Sequence, residues 1–233
     1  MALTLAEGSN ILVADDDPRD AQSVRRPLED AGFRTAAVSD FSKFVDADEF
    51  LRSLIEEFDA LVCDHVLSGR GPASFTGAEV VSKANKMERP LPAVLISSHV
   101  NTDQTGSIRQ WRAGIPAVVD KSDYSDTIVE ALDYTIAELS GKVARERRTF
   151  ATPIEVLDVR SAGEFPAARV VVVGWKIETT VWMPLKPILD AGIDPAGLSG
   201  RWLEAEVNCH AKDAADLYYE NVVLAPDLPQ GWM

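Results

Sequence analysis

Cysteine, histidine and positive charge are all scarce in this 233-residue sequence, and each scarcity removes a class of function. Cys63 and Cys209 are the two cysteines. Both stand in strand-like apolar runs without metal-ligand spacing around them, so they read as buried, reduced thiols. His210 beside Cys209 makes a poor zinc site, because one histidine and one cysteine leave two tetrahedral positions unfilled. Lysine and arginine total 23 against 37 aspartates and glutamates, a formal charge of −14. Residues 1–148 carry 17 basic and 25 acidic side chains, and residues 149–233 carry 6 and 12, so the halves contribute −8 and −6. A chain so charged repels phosphate backbones, and nucleic acid is not expected as a partner. No apolar run is long enough to cross a bilayer, and no basic stretch followed by an apolar one opens the sequence. Membrane insertion and export are therefore not expected, and a reducing cytoplasm is the expected compartment.

What is present is an ordinary globular composition, 46% hydrophobic and 26% charged, in a length that suits two domains. From residue 10 to about 140, short apolar runs alternate with helix-like patterns, the signature of βα units on a parallel sheet. The runs are 11–14, 35–38, 60–63, 93–97 and 117–119. Their lack of polar alternation suits strands covered on both faces. Helical spacing appears at 18–31, 41–58, 77–87 and 105–113. A last helix from Ser125 has apolar positions Ile128, Leu132, Ile136 and Leu139, with Gly141 at its end. The basic stretch 142–148 reads as a linker. After Thr149 the pattern turns to period-two alternation. Long strands are expected at 170–183, 201–211 and 217–225, a shorter one at 154–159, and a short helix within 183–191 limited by Pro184 and Pro187. The expected domains are thus residues 1–140, a connection at 141–150, and a small, mainly β domain at 151–233.

In an open parallel sheet, functional groups gather at the carboxyl ends of the strands. Here the first run leads into Asp15, Asp16 and Asp17, the third into Asp64, the fourth ends at Ser97, and the fifth leads into Asp120 and Lys121. Helix capping explains one such carboxylate but not the set. Repulsion among Asp15, Asp16 and Asp64 would be relieved by a hard divalent cation, and a few carboxylates plus water suit Mg²⁺. With that charge screened, Asp64 can act as a nucleophile towards phosphorus. Lys121 and the Ser97 hydroxyl can then donate to the phosphoryl oxygens.

The segments "ILVADDDP", "ALVCDHVL", "LPAVLISSHV" and "VVDKS" occur in order at successive strand ends, and through them residues 8–140 resemble the receiver domain of two-component response regulators. The resemblance implies a flavodoxin-like α/β fold with a five-stranded parallel sheet of order 2-1-3-4-5. It implies a phosphoryl acceptor at Asp64. It also implies Mg²⁺ held by Asp16, Asp64 and the Val66 backbone carbonyl, with Asp15 acting through water, and Ser97 and Lys121 contacting the phosphoryl group. A histidine kinase or phosphotransfer protein is the implied donor.

The sequence departs from the family in three places. Val118 stands where the family's aromatic switch residue falls, three positions before the lysine, so output is expected to use another route. Ser122 follows Lys121 where many members have proline. The segment "HVLSGRGPASFTG" makes the loop after Asp64 several residues longer than usual, and its glycines and serines predict mobility. His65 and His99, each just past a strand end, read as loop residues.

The resemblance stops before the second domain. Trp175, Trp182, Trp202 and Trp232 read chiefly as core of a small β module. Tyr218 and Tyr219 would point to opposite faces of a strand, leaving one exposed or against the first domain. Glu204 and Glu206 share one side of their strand and read as a solvated face. With no helix-turn-helix pattern and no basic stripe, the expected output is binding of a downstream protein that the sequence does not identify. A homodimer through the helix after Ser125 is a further expectation. Two alternatives stay open, a β module that is an enzyme gated by the receiver, and a phosphate sink or degenerate receiver acting as a scaffold.

Overall fold

The computed structural model describes residues 4–67, 74–98, 105–163 and 165–226. The chain divides into two compact units, Met1–Val143 and Ala144–Met233.

The first unit alternates β1 (Asn10–Ala14), α1 (Pro18–Asp30), β2 (Arg34–Val38), α2 (Ala47–Arg52), β3 (Ala60–Asp64), α3 (Gly77–Lys86), β4 (Ala93–Ser97), α4 (Thr105–Arg109), β5 (Val118–Asp120) and α5 (Tyr124–Leu139). All pairings are parallel, in the expected order β2-β1-β3-β4-β5. Every residue of β3 and β4 is buried, because helices cover both faces of the sheet. Leu12, Leu61, Cys63 and Leu95 pack with Phe50 and Val80 on one face. Ile11, Val13, Val62, Val94 and Ile96 pack with Leu28, Ile128 and Leu132 on the other. Burial at this density is the main stabilising term, at roughly 25 cal/mol for each Å² of apolar surface removed from water.

Two helices are shorter than their apolar spacing predicts. Only Ala47–Arg52 of residues 41–58 is α-helical. Phe41 and Phe44 reach Phe50 from a turn, with ring centroids 5.5 and 5.0 Å away. The backbone donors that a longer helix needs are taken by side chains: Asp40 accepts from the Ser42 amide, and Asp46 caps the helix through the Glu49 amide. Likewise α4 stops at Arg109 and continues as a separate 3₁₀ turn, Arg112–Gly114. Gly114 lies so close to α3 that a Cβ there would fall 2.3 Å from Ser82 Oγ. The buried Asn85 amide fastens the same junction, donating to the Ala93 and Gly114 carbonyls and accepting from the Ala93 amide. Helix α5 closes on Gly141 at φ +87, with Lys142 N–H donating to Ala137 O and Gly141 N–H to Glu138 O, a Schellman ending.

The second unit contains β6 (Phe150–Arg160), β7 (Ala167–Val172), β8 (Thr180–Pro184), α6 (Lys186–Asp190), β9 (Trp202–Val207) and β10 (Tyr219–Leu224). They form an antiparallel sheet of order β10-β9-β6-β7-β8. Ile154, Val156, Val170, Met183, Leu203 and Val207 pack on one face with Ile188 and Leu198. The segment read as one strand at 170–183 is a hairpin. The chain turns where the Gly174 amide donates to Thr152 Oγ1, and a Cβ on Gly174 would lie 2.7 Å from that oxygen. The strand expected to be short is instead β6, the longest described element of the sheet, and β9 ends at Val207 rather than 211.

Part of the basic stretch read as linker packs as structure within this second unit. Residues Arg145–Arg147 form a 3₁₀ turn. The Arg147 side chain is buried with its guanidinium 4.3 Å from the Tyr218 ring centroid, and the Tyr218 hydroxyl donates to the Arg147 carbonyl. Asn208 Nδ2 donates to the Glu146 and Asp216 carbonyls, while its Oδ1 accepts from the Tyr218 amide. Tyr218 and Tyr219 are both buried, and of the pair only Tyr219 lies in the strand β10, so the alternation expected of two strand residues does not apply to them. The tryptophans are not all core. Trp175 is half-buried and donates Nε1–H to Ala211 O at 2.7 Å, Trp182 lies under the Arg160 guanidinium at 4.3 Å, and Trp202 is 39% exposed. Trp232 lies outside the described residues. Glu204 is exposed and Glu206 accepts from Asn221 Nδ2, as a solvated strand face requires. Cys209 is only half-buried.

Candidate functional site: an acidic cluster with one lysine

Four parallel strands end side by side, and each end supplies a polar group. Asp15 is the first residue beyond β1; its amide donates to Val38 O, continuing the pairing, and the residue is 2% exposed. Asp64 closes β3 at 6% exposure and Ser97 closes β4 at 1%. Lys121 follows β5, with its amide on Ser97 O at 3.1 Å. Asp16 is half-buried beside Asp15. Two short turns aim the carboxylates, since the Asp17 amide donates to Asp15 Oδ1 at 2.9 Å and the Val66 amide to Asp64 Oδ2 at 3.0 Å.

Lys121 Nζ sits among three carboxylates, 2.9 Å from Asp15, 3.0 Å from Asp64 and 3.1 Å from Asp20. Burial pushes the Asp64 carboxyl up to about 6, and the neighbouring Asp15 charge adds to that, against the opposing Lys121 ammonium and Val66 amide. Asp15 is raised in the same way by burial, against Lys121 and the Asp17 amide. Burial alone would lower the lysine, but Asp15 and Asp64 outweigh it and hold the ammonium above its usual range. Burial, then the charges of Asp64 and Asp15, drive the Cys63 thiol well upward, so it stays a protonated core group.

Carboxylate oxygens of Asp15, Asp16 and Asp64 lie within 4.8 Å of one another. An all-oxygen set with two nearly buried members and one half-buried member fits a small hard cation such as Mg²⁺, which keeps several waters. The sequence-derived residues Asp15, Asp16, Asp64, Ser97 and Lys121 therefore lie at one end of the sheet, with Val66 two residues past Asp64. His99 lies outside the described residues, as do residues 68–73 of the long loop.

Three features at this site were not read from the sequence. Asp20, in the first turn of α1, reaches Lys121; the signal was its place one turn of helix past Asp16. His65 lies in the loop after β3 as expected, but it is 4% exposed, with Nε2 2.6 Å from Ser107 Oγ of α4. Gly77 closes the root of the long loop: its amide donates to His65 O, and a Cβ there would fall 1.7 Å from Asp64 O. Beside it Phe75 is buried against Phe50 at 6.2 Å, and the Ser74 hydroxyl donates to Val45 O.

The departures from the family pattern also have local roles. Val118 packs against the core cluster that contains Leu95. Ser122 donates both its amide and its hydroxyl to Asp120 Oδ1, at 2.8 and 2.7 Å, which lowers the Asp120 carboxyl. Proline at 122 would have no amide hydrogen to give.

No family model matches the chain, and no curated protein matches it. Solved structures do. A response regulator receiver domain protein from Clostridium thermocellum is 18% identical, covering 58% of this chain and 99% of its own, with a TM-score of 0.44. A CheY-like receiver domain protein from Methanospirillum hungatei is 20% identical over 58% of this chain and 99% of its own, TM-score 0.43. A response regulator from Thermotoga maritima, described in complex with Mg²⁺–BeF, is 18% identical over 55% of this chain and 98% of its own, TM-score 0.41.

Proposed function

We propose that this chain is a response regulator whose first unit accepts a phosphoryl group on Asp64. The observation that carries the reading is the position of Lys121, whose Nζ bridges Asp15 and Asp64 at 2.9 and 3.0 Å where β1, β3 and β5 end, beside the strand that closes on Ser97. A structural ion pair would need one carboxylate. Here two nearly buried carboxylates and one exposed one converge on a single ammonium, an arrangement that is costly for folding and useful for phosphoryl chemistry.

Asp16, Asp64 and the Val66 carbonyl would hold Mg²⁺, with Asp15 reaching it through water, and the ion would screen the negative charge of an incoming donor. An Asp64 oxygen attacks phosphorus and forms the new O–P bond. The bond from phosphorus to the donor's leaving group breaks, and the leaving group departs with the electron pair and takes a proton. The ordinary carboxylate is the reactive form, and with its carboxyl at about 6 Asp64 is mostly ionised at neutral pH. Lys121 donates to one phosphoryl oxygen and the Ser97 hydroxyl to another.

The donor in this reading is a histidine kinase or phosphotransfer protein in the cytoplasm, and the second unit binds a protein partner rather than nucleic acid, as the −6 charge of residues 149–233 favours. Incubating the full chain with Mg²⁺ and acetyl phosphate should add one phosphoryl group by intact mass, and Asp64→Asn should add none. An adduct that persists in Asp64→Asn would move the acceptor elsewhere. Absence of any adduct would favour a scaffold that keeps the residues without the chemistry.

A further inference from the structure

We propose that Asp20 is a positioning residue that holds Lys121 at the mouth of the site before phosphorylation and thereby slows phosphoryl acquisition; the inference rests on Asp64 being the acceptor. An ammonium has three N–H groups. Here three carboxylates receive them, from Asp15, Asp64 and Asp20 at 2.9, 3.0 and 3.1 Å. The first two belong to the nearly buried cluster, with side chains 3% and 6% exposed, whereas the Asp20 side chain is 52% exposed and approaches from the solvent side. Asp20 is fixed there by the start of α1, where Pro18 opens the helix and Asp17 caps it through the Arg19 amide at 2.7 Å.

The three contacts have different fates during transfer. Asp15 and Asp64 keep Lys121 inside the site, facing the atoms that react. Asp20 lies outside the set of three clustered carboxylates, so its pull on the ammonium is not relieved by a cation among them. For Lys121 to donate fully to an arriving phosphoryl oxygen, the contact with Asp20 must lengthen or break. Removing that carboxylate leaves one N–H of Lys121 unclaimed and available to the phosphoryl group. Deleting Asp20's charge also lessens repulsion of an anionic donor, and the two effects separate because only the first requires Lys121.

The experiment uses the full chain as wild type, Asp20→Asn, Lys121→Ala and the double variant, with initial rates of adduct formation followed by intact mass in Mg²⁺ and limiting acetyl phosphate. Asp20→Asn should raise the rate about threefold, the scale of a partly exposed ion pair, and Asp20→Glu should return it towards wild type. In the Lys121→Ala background the same change should give a clearly smaller acceleration, that of lessened donor repulsion alone. An equal acceleration in both backgrounds would overturn the proposal in favour of general charge repulsion, and an unchanged rate in Asp20→Asn would overturn it outright. Without Mg²⁺ or donor, in EDTA, urea midpoints of the four proteins should be non-additive, and additive midpoints would deny the pairing. A wild type that forms no adduct removes the acceptor reading and this inference with it, whereas a wild-type adduct with no Asp20 effect removes this inference alone.

Discussion

In the first unit, buried Asp15 and Asp64 face the half-buried Lys121 at the ends of three strands, whereas in the second unit buried Asn208 and Tyr218 face backbone. Both are dense polar clusters. The difference lies in what satisfies them. Asn208 meets two carbonyls and an amide in a packed turn, so the cluster closes on itself and stabilises the unit. Among the described residues, the Asp64 and Asp15 carboxylates meet Lys121, one neighbouring amide each, and one another's charge, with Asp20 also acting on Asp15, and burial makes that charge expensive. A polar cluster satisfied by its own backbone is architecture; one satisfied by competing charges is poised to take a cation or a new bond.

The sharpest way to break this comparison is at Gly77, where the first unit brings backbone against Asp64, the proposed acceptor. Gly77→Ala puts a Cβ 1.7 Å from Asp64 O, and forcing α3 away should cost about 3 kcal/mol and abolish or strongly slow adduct formation. Hydrogen exchange read peptide by peptide would report the loss in residues 60–86 alone. Native protection with normal phosphorylation would contradict the close approach.

Asn208→Ala should act on the other side of the comparison. Three hydrogen bonds disappear, one of them to a buried amide, at a cost of about 2–3 kcal/mol. The expected loss of exchange protection is confined to residues 144–226, with Asp64 phosphorylation unaffected. A change smaller than measurement error would show the cluster to be dispensable.

The smallest effect is a gain. Asp64 has a folded value of about 6 against an ordinary 3.8, so between those values the folded state binds more protons than the unfolded one. Stability therefore falls as pH rises from about 4 through 6 and then levels off. Asp64→Asn should remove that fall. In EDTA at pH 7 it should stabilise the protein by on the order of 2 kcal/mol, less than the full shift because Lys121 loses a partner. Urea midpoints against pH would show the two curves separating across that window. Parallel curves would mean that the cluster carries no strain.

Much of the first unit was legible because a doubly covered parallel strand has to be apolar throughout, and 60–63 and 93–97 admit no other reading. The site was legible for a related reason: Asp15, Asp64 and Lys121 lie at or just past strand ends, where one parallel register brings them together. Helix lengths were not. Phe41, Phe44 and Phe50 have helical spacing, but an aromatic cluster gathered from a turn gives the same pattern, and Asp40 and Asp46 take the amides that would decide between them. In the second unit, period two marked strands but not the turn at Gly174, whose cause is a hydroxyl 22 residues earlier in β6. Arg147 looked like linker for the same reason, since its partner Tyr218 is 71 residues away. Asp20 went unread because a charge on the first turn of a helix also has an ordinary explanation, interaction with the helix dipole.

The most direct test of the account is to locate the acyl phosphate itself. Full-length protein treated with Mg²⁺ and acetyl phosphate, then reduced with borohydride, should yield homoserine at position 64 alone on peptide sequencing by mass spectrometry, and none when EDTA replaces Mg²⁺. Homoserine at Asp15, Asp16 or Asp120 instead, or its absence from every peptide despite rapid quenching, would contradict the assignment of Asp64 as the acceptor.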